Sequence, residues 1–168
     1  MNSVQIHLAL THVPVVLSIV GLVMLAISFR INNNMLTKIS YTFLFVAGLA
    51  ALPVYFSGEG AEDVVEKLPG VSEAIIEEHE DIAKIAMISI AVCGLTALAA
   101  LLAARFKIAG GGIKIGVLLL ALVSGGLMFQ TAHLGGQIRH SEIRSDVAVQ
   151  SENGKGEKQN AQWEKDDD

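Results

Sequence analysis

Residues 113–134 read IKIGVLLLALVSGGLMFQTAHL. This stretch decides the fold. It holds one lysine, at its start, and no acid or arginine. A helix rising 1.5 Å per residue would carry it roughly 33 Å, the thickness of a bilayer's hydrocarbon core. Three other segments have the same character, roughly Leu8–Phe29, Ile39–Phe56 and Ile82–Ala104. None alternates as a lipid-facing strand would, which excludes a barrel. The whole chain has 168 residues, is 52% hydrophobic and only 17% charged, below the usual quarter of soluble domains. The reading is therefore an all-α integral membrane four-helix bundle over residues 1–145, with a disordered polar tail over 146–168. Trp163 in that tail has no evident partner.

Loop charges set a direction. RINNNMLTK (30–38) and RFKIAGGGIK (105–114) carry basic residues and no acids. By the positive-inside rule both face the cytoplasm. The loop 57–81 holds nine acids and a single base, Lys67. It and both termini are then expected on the outer, periplasmic side of a bacterial inner membrane, although Arg139 and Arg144 oppose this slightly. The N-terminus lacks the basic region of a signal peptide, so the first apolar run is expected to remain as a span. Within the acidic loop, SGEG (57–60) and LPG (68–70) read as turns. Ser72 reads as an N-cap from which a helix runs unbroken to Arg105. Pro14 is expected in a first turn, with Thr11 or His12 as its cap.

Several function classes fall away. The net charge is −5 and no basic cluster exists, which excludes nucleic-acid binding. The lone Cys93 forms no intrachain disulfide and no CxxC site; it reads as a small apolar packing residue. There is no nucleophile elbow, phosphate loop or HExxH motif, and almost no charge inside the spans to carry protons or ions. Gln130 is the main polar exception in the fourth span.

The histidines carry the chemistry. In this topology His7, His12, His79, His133 and His140 all fall at the outer end. On helical spacing His79 stands above Ala83, Ala86, Ile90, Cys93 and Ala97, an interior-like face. His12 stands above Val16, Ile19 and Val23, and His133 above Gln130, Phe129, Gly126 and Leu122. Each of these three spans can aim one imidazole inward. His7 and His12 lie about 140° apart on a regular helix, so only one of them can face a shared ligand. Imidazole ligates metals and haem iron, and bundles build such sites from facing side chains. The leading expectation is a haem b held by two histidines. Gly126, Gly135 and Gly136 would give the flat macrocycle room, and Arg139 or Arg144 would pair with its propionates.

Copper or zinc is the second option, without HxxxH or HxH spacing to support it. Two haems fit less well, because His133 and His140 are only about 10 Å apart along a helix. The cofactor-free alternative is that these are interfacial histidines, with His79 in EEHED (77–81) paired to carboxylates. The corresponding functions are electron transfer with quinol or a respiratory membrane partner, or a membrane subunit or scaffold without cofactor that docks through its acidic loop and tail. A homo-oligomer is compatible with either.

The opening His7-Leu-Ala-Leu-Thr-His12-Val-Pro14 resembles the HPxxVHFPIA opening of the bacterial four-helix membrane proteins called domain of unknown function 2231. His79 before the third span and Gly135-Gly136-Gln137-Ile138 near the end are also similar to that family. The resemblance covers roughly residues 5 to 145. Two departures stand out: Leu8 replaces the family's proline, and GGQIRH replaces its GGxLVY, so His140 falls where an aromatic is common. The resemblance implies the four-span fold and the histidine pattern, and it carries no settled activity.

Overall fold

The computed structural model describes residues 3–69, 71–106 and 111–140. The polar tail, Arg144, Trp163 and Lys107 lie outside these. Four helices make up the described chain: α1 (Ser3–Ile31), α2 (Asn34–Val65), α3 (Glu73–Arg105) and α4 (Gly111–Arg139). Each contains a segment long and apolar enough to cross a membrane. A band of aliphatic and aromatic side chains, among them Val16, Ile19, Leu95, Leu119 and Phe129, faces outward. Contiguous apolar surface of that extent fits lipid and not water.

Cross-helix contacts give the topology. Gly21 of α1 meets Leu44 of α2, Gly48 of α2 meets Ile90 and Gly94 of α3, Ser89 of α3 meets Ser124 of α4, and Ser18 of α1 meets Met128 of α4. In each pair of neighbours residue numbers rise in opposite directions, so the helices alternate up and down around a ring. The seam between α4 and α1 is the sparsest.

Each helix turns one row of residues to the core, spaced alternately four and three apart. On α1 the row is Pro14, Ser18, Gly21, Leu25 and Ser28, all buried. On α2 it is Ser40, Leu44, Ala47, Ala51 and, further out, Ala61. On α3 it is Ala86, Ile90, Cys93, Ala97 and Ala100. On α4 it is Val117, Ala121, Ser124 and Met128. Alternate four-three spacing is that of left-handed helix packing. The rows are rich in small residues and hydroxyls, since lipid provides no hydrophobic force between helices and close backbone approach must bring them together. At the tightest point a Cβ on Gly94 would lie 3.1 Å from the Leu44 oxygen, and one on Gly48 would lie 3.0 Å from the Ile90 oxygen. The buried hydroxyls are satisfied: Ser18, Ser28 and Ser40 donate to carbonyls three residues back. Ser124 shares a 2.8 Å bond with Ser89.

The local structure departs from the sequence expectation in three places. SGEG is helical, and α2 runs on to Val65. Its glycines make room for α1 instead of forming a turn: a Cβ on Gly58 would lie 3.6 Å from the His7 ring, and one on Gly60 would lie 3.3 Å from Ser3 Cβ. Packing along α1 outweighs the helix penalty of glycine, about 1 kcal/mol each. Pro14 is inside α1, three turns from its start, because residues 3–10 are held against the extended α2. Ser72 occupies the N-cap position of α3 but makes no capping bond with its side chain. Capping by a side chain occurs at Asn33, whose Oδ1 accepts from the amides of Met35 and Leu36 at 2.9 and 3.1 Å. Asn32 before it adopts φ 48°, a left-handed conformation that asparagine tolerates, and this reverses the chain in two residues. The turn at 66–69 matches the LPG signal.

Candidate functional site

At the end of the bundle that carries Ser3 and Arg139, α2 and α3 project as a helical hairpin beyond their apolar segments. Two imidazoles turn inward there, from α1 and α3. His7 Nδ1 lies 3.1 Å from the Val54 oxygen and 3.0 Å from Ser57 Oγ, both on α2. Ser57 Oγ donates its own proton to Val54 O, so it receives from His7. His79 Nδ1 lies 3.0 Å from the Thr131 oxygen on α4. A carbonyl oxygen only accepts, so in both rings Nδ1 carries the proton and Nε2 keeps its lone pair. Neither Nε2 bonds to a described residue. No buried side-chain nitrogen or oxygen lacks a partner among the described residues, so both Nε2 atoms reach accessible surface.

Each ring is seated on a glycine of its neighbour. Gly58 takes His7, and a Cβ on Gly135 would lie 3.2 Å from His79 Cε1. A donor to a main-chain carbonyl plus a fixed packing surface is the support that orients ligating histidines in metal proteins.

The other sequence candidates stand elsewhere. His12 is exposed and bonds back to the Leu8 oxygen of its own helix at 3.1 Å. The face below it, Val16, Ile19 and Val23, is turned outward from the bundle. His133 is exposed too, and its Nε2 accepts from Gln137 Nε2 at 3.0 Å. Phe129 and Leu122 below it face outward. The inward pair is therefore His7 and His79, in place of the expected convergence of His12, His79 and His133. Gly126 has open space beside it and thins no contact. Gly135 is filled by the His79 ring. Gly136 is helical, and its oxygen accepts the amide of the exposed His140 at 2.9 Å. Arg139 is exposed in the last turn of α4.

The sequence carried a signal for the right partner. His7 continues the core row of α1 by the same spacing, through Thr11 to Pro14, Ser18 and Gly21. His12 sits above branched aliphatics, the residues that face lipid.

Beyond the apolar segments, Glu62 of α2 and Glu80 of α3 meet across the hairpin. Their hydrogen bond, with partial desolvation and the charges of Glu80 and Asp63, pushes the Glu62 carboxyl up to about 7. The Glu62 carboxyl therefore holds its proton closer to neutrality than a free carboxyl does. Among the described residues no group of three or more His, Cys, Asp or Glu comes together to hold a metal ion. An apolar groove of about 220 Å³, lined by Leu17, Ile39, Thr42, Phe43 and Val46, opens toward lipid away from the histidines.

Comparison with known protein families, curated proteins and solved structures finds no match to this chain.

Proposed function

We propose that this chain is a multi-pass bacterial inner-membrane protein that binds haem b through His7 and His79 and transfers electrons near the outer membrane surface. The observation that carries the reading is the pair of inward imidazoles with Nδ1 on a main-chain carbonyl and Nε2 accessible. Two histidines from different helices would suffice to hold a haem iron. Zinc or copper needs three or four, which favours haem over either ion. When bound, the haem supplies one-electron redox chemistry. The chain's own residues orient the ligands: Val54, Ser57 and Thr131 hold the imidazole tautomers, and Gly58 and Gly135 let the rings approach. Arg139, exposed at the rim, suits propionate pairing. The donor is quinol or a respiratory membrane partner, and the bilayer is the immediate surrounding. Both termini face outward in this reading, following the loop charges. The likeness to domain of unknown function 2231 agrees with a histidine-bearing four-span fold.

The test is the absorption spectrum of protein purified from haem-replete cells. A Soret band that shifts on reduction, and that is lost in His7→Ala or His79→Ala, supports the proposal. A colourless wild-type protein overturns it. A cofactor-free docking subunit would then be favoured by one observation: Glu59, Asp63, Glu66, Glu73, Glu77 and Glu78 are exposed on the projecting hairpin.

A further inference from the structure

The apolar groove of about 220 Å³ between α1 and α2 takes no part in the histidine site. Its α2 wall is Ile39, Thr42, Phe43 and Val46, which share one helical face. Leu17 of α1 closes the other side. Thr42 does not make the wall polar, because its hydroxyl turns back to the Lys38 oxygen at 3.1 Å. From Ile39 to Val46 the groove runs about 10 Å along α2, from the end that carries Asn33 toward the middle of the bundle. Ile39, Thr42 and Val46 are exposed, so it is open from the side. An elongated apolar channel on a membrane-facing surface suits a lipid acyl chain, which makes more dispersion contacts there than on a single helix face.

Charge at the mouth of the groove says what occupies it. Lys38 directly precedes Ile39 and stands one turn before Thr42, at the groove's membrane-surface end. Its side chain is exposed, and its ammonium bonds to no described residue. Lys114 at the same end of the bundle differs, since Ser28 O and the Phe29 ring take up its ammonium. The surroundings are of one sign: segments 30–38 and 105–114 contain Arg30, Lys38, Arg105, Lys107 and Lys114 and no acid. Basic residues beside a spanning helix attract anionic lipid, and basic pockets between such helices bind its head group. An apolar channel that ends at a free cation is complementary to an amphiphile with an anionic head. It matches neither a water-soluble anion nor a neutral lipid.

We propose that an anionic phospholipid occupies this groove, with one acyl chain along Ile39, Phe43 and Val46 and its phosphate on the Lys38 ammonium. The site involves none of the histidines and is independent of any cofactor.

Native mass spectrometry of the full chain tests it, with protein released from nanodiscs of equal phosphatidylglycerol and phosphatidylcholine. The wild-type chain should retain phosphatidylglycerol in preference. Lys38→Gln should lower that preference about fivefold, the worth of one basic residue at an anionic surface, and Lys38→Arg should keep it. Arg105→Gln, at the same end but on α3, should leave it unchanged. Val46→Trp, which fills the groove, should remove the retained lipid. Leu95→Trp, on α3 and 64% exposed, should not. Glycerol phosphate, which has the anion and no chain, should not displace the lipid. Lys38 is exposed and outside the core, so Lys38→Gln leaves the fold intact. Equal retention of the two lipids, an equal loss in Lys38→Gln and Arg105→Gln, lipid still held by Val46→Trp, or displacement by glycerol phosphate overturns the proposal.

Discussion

His79 Nδ1 donates to the main-chain oxygen of Thr131 across 3.0 Å, which ties α3 to α4 and leaves Nε2 of the same ring accessible. His7 repeats the arrangement on Val54. This symmetry of support separates the five histidines into two classes. His7→Ala and His79→Ala should each abolish the Soret band. His12→Ala and His133→Ala should leave it unchanged. Spectra of the four variants at equal protein concentration check this, and loss confined to His12→Ala or His133→Ala would reverse the assignment.

Gly135 acts on the same ring from behind. A side chain there must displace His79, since even a Cβ would lie 3.2 Å from Cε1. Gly135→Val should reduce cofactor content several-fold while the protein stays folded by circular dichroism. Gly126→Val, on open surface, should not.

The α2–α3 contact is backbone against backbone at Gly94. A Cβ there would lie 3.1 Å from Leu44 O and 3.3 Å from Phe45 Cα, neither of which can swing aside. Gly94→Val should destabilise the bundle by about 1–3 kcal/mol, the usual cost of overpacking. Gly116→Val, with nothing near it, should cost far less. Thermal unfolding in detergent compares them.

How far the sequence foretold these results depends on which face of each helix could be read. The four spans, the unbroken run of α3 and the interior face below His79 were legible, because apolar length and small-residue rows are local properties. SGEG misled because its glycines answer to His7 and Ser3 on another helix, a contact more than fifty residues away. His12 and His133 misled for a related reason. Below His12 stand Val16, Ile19 and Val23, aliphatics that in water mark a core and in lipid mark the outside, and below His133 Phe129 and Leu122 face outward while Gly126 meets no neighbouring helix. The row Thr11, Pro14, Ser18, Gly21 pointed to His7, but only under the membrane rule that small means inside.

The Glu62–Glu80 pair makes stability depend on pH in a stated direction. The Glu62 carboxyl rises from 4.5 to about 7 in the folded chain, so the folded state holds more protons across that window. Stability is therefore highest below about pH 4.5 for this group and falls as pH rises through 7. The pair is solvated, which limits the effect to about 1 kcal/mol at most. Glu62→Gln should flatten the pH dependence of the melting temperature between pH 5 and 8 and raise it at pH 8. An unaltered profile would count against a raised Glu62 carboxyl.

The sparse seam between α1 and α4 bears on how the molecule is made. At its far end Lys114 sits 4.3 Å from the centre of the Phe29 ring and donates to Ser28 O at 3.0 Å, adding to the Ser18–Met128 contact across the same seam. The other closely packed helix pairs are between sequence neighbours. Biogenesis can then proceed as two hairpins, α1–α2 and α3–α4, that meet along the Gly48–Gly94 contact. Co-expressed halves divided within the 66–69 turn should find each other in the bilayer and co-purify, and Gly94→Val should keep them apart.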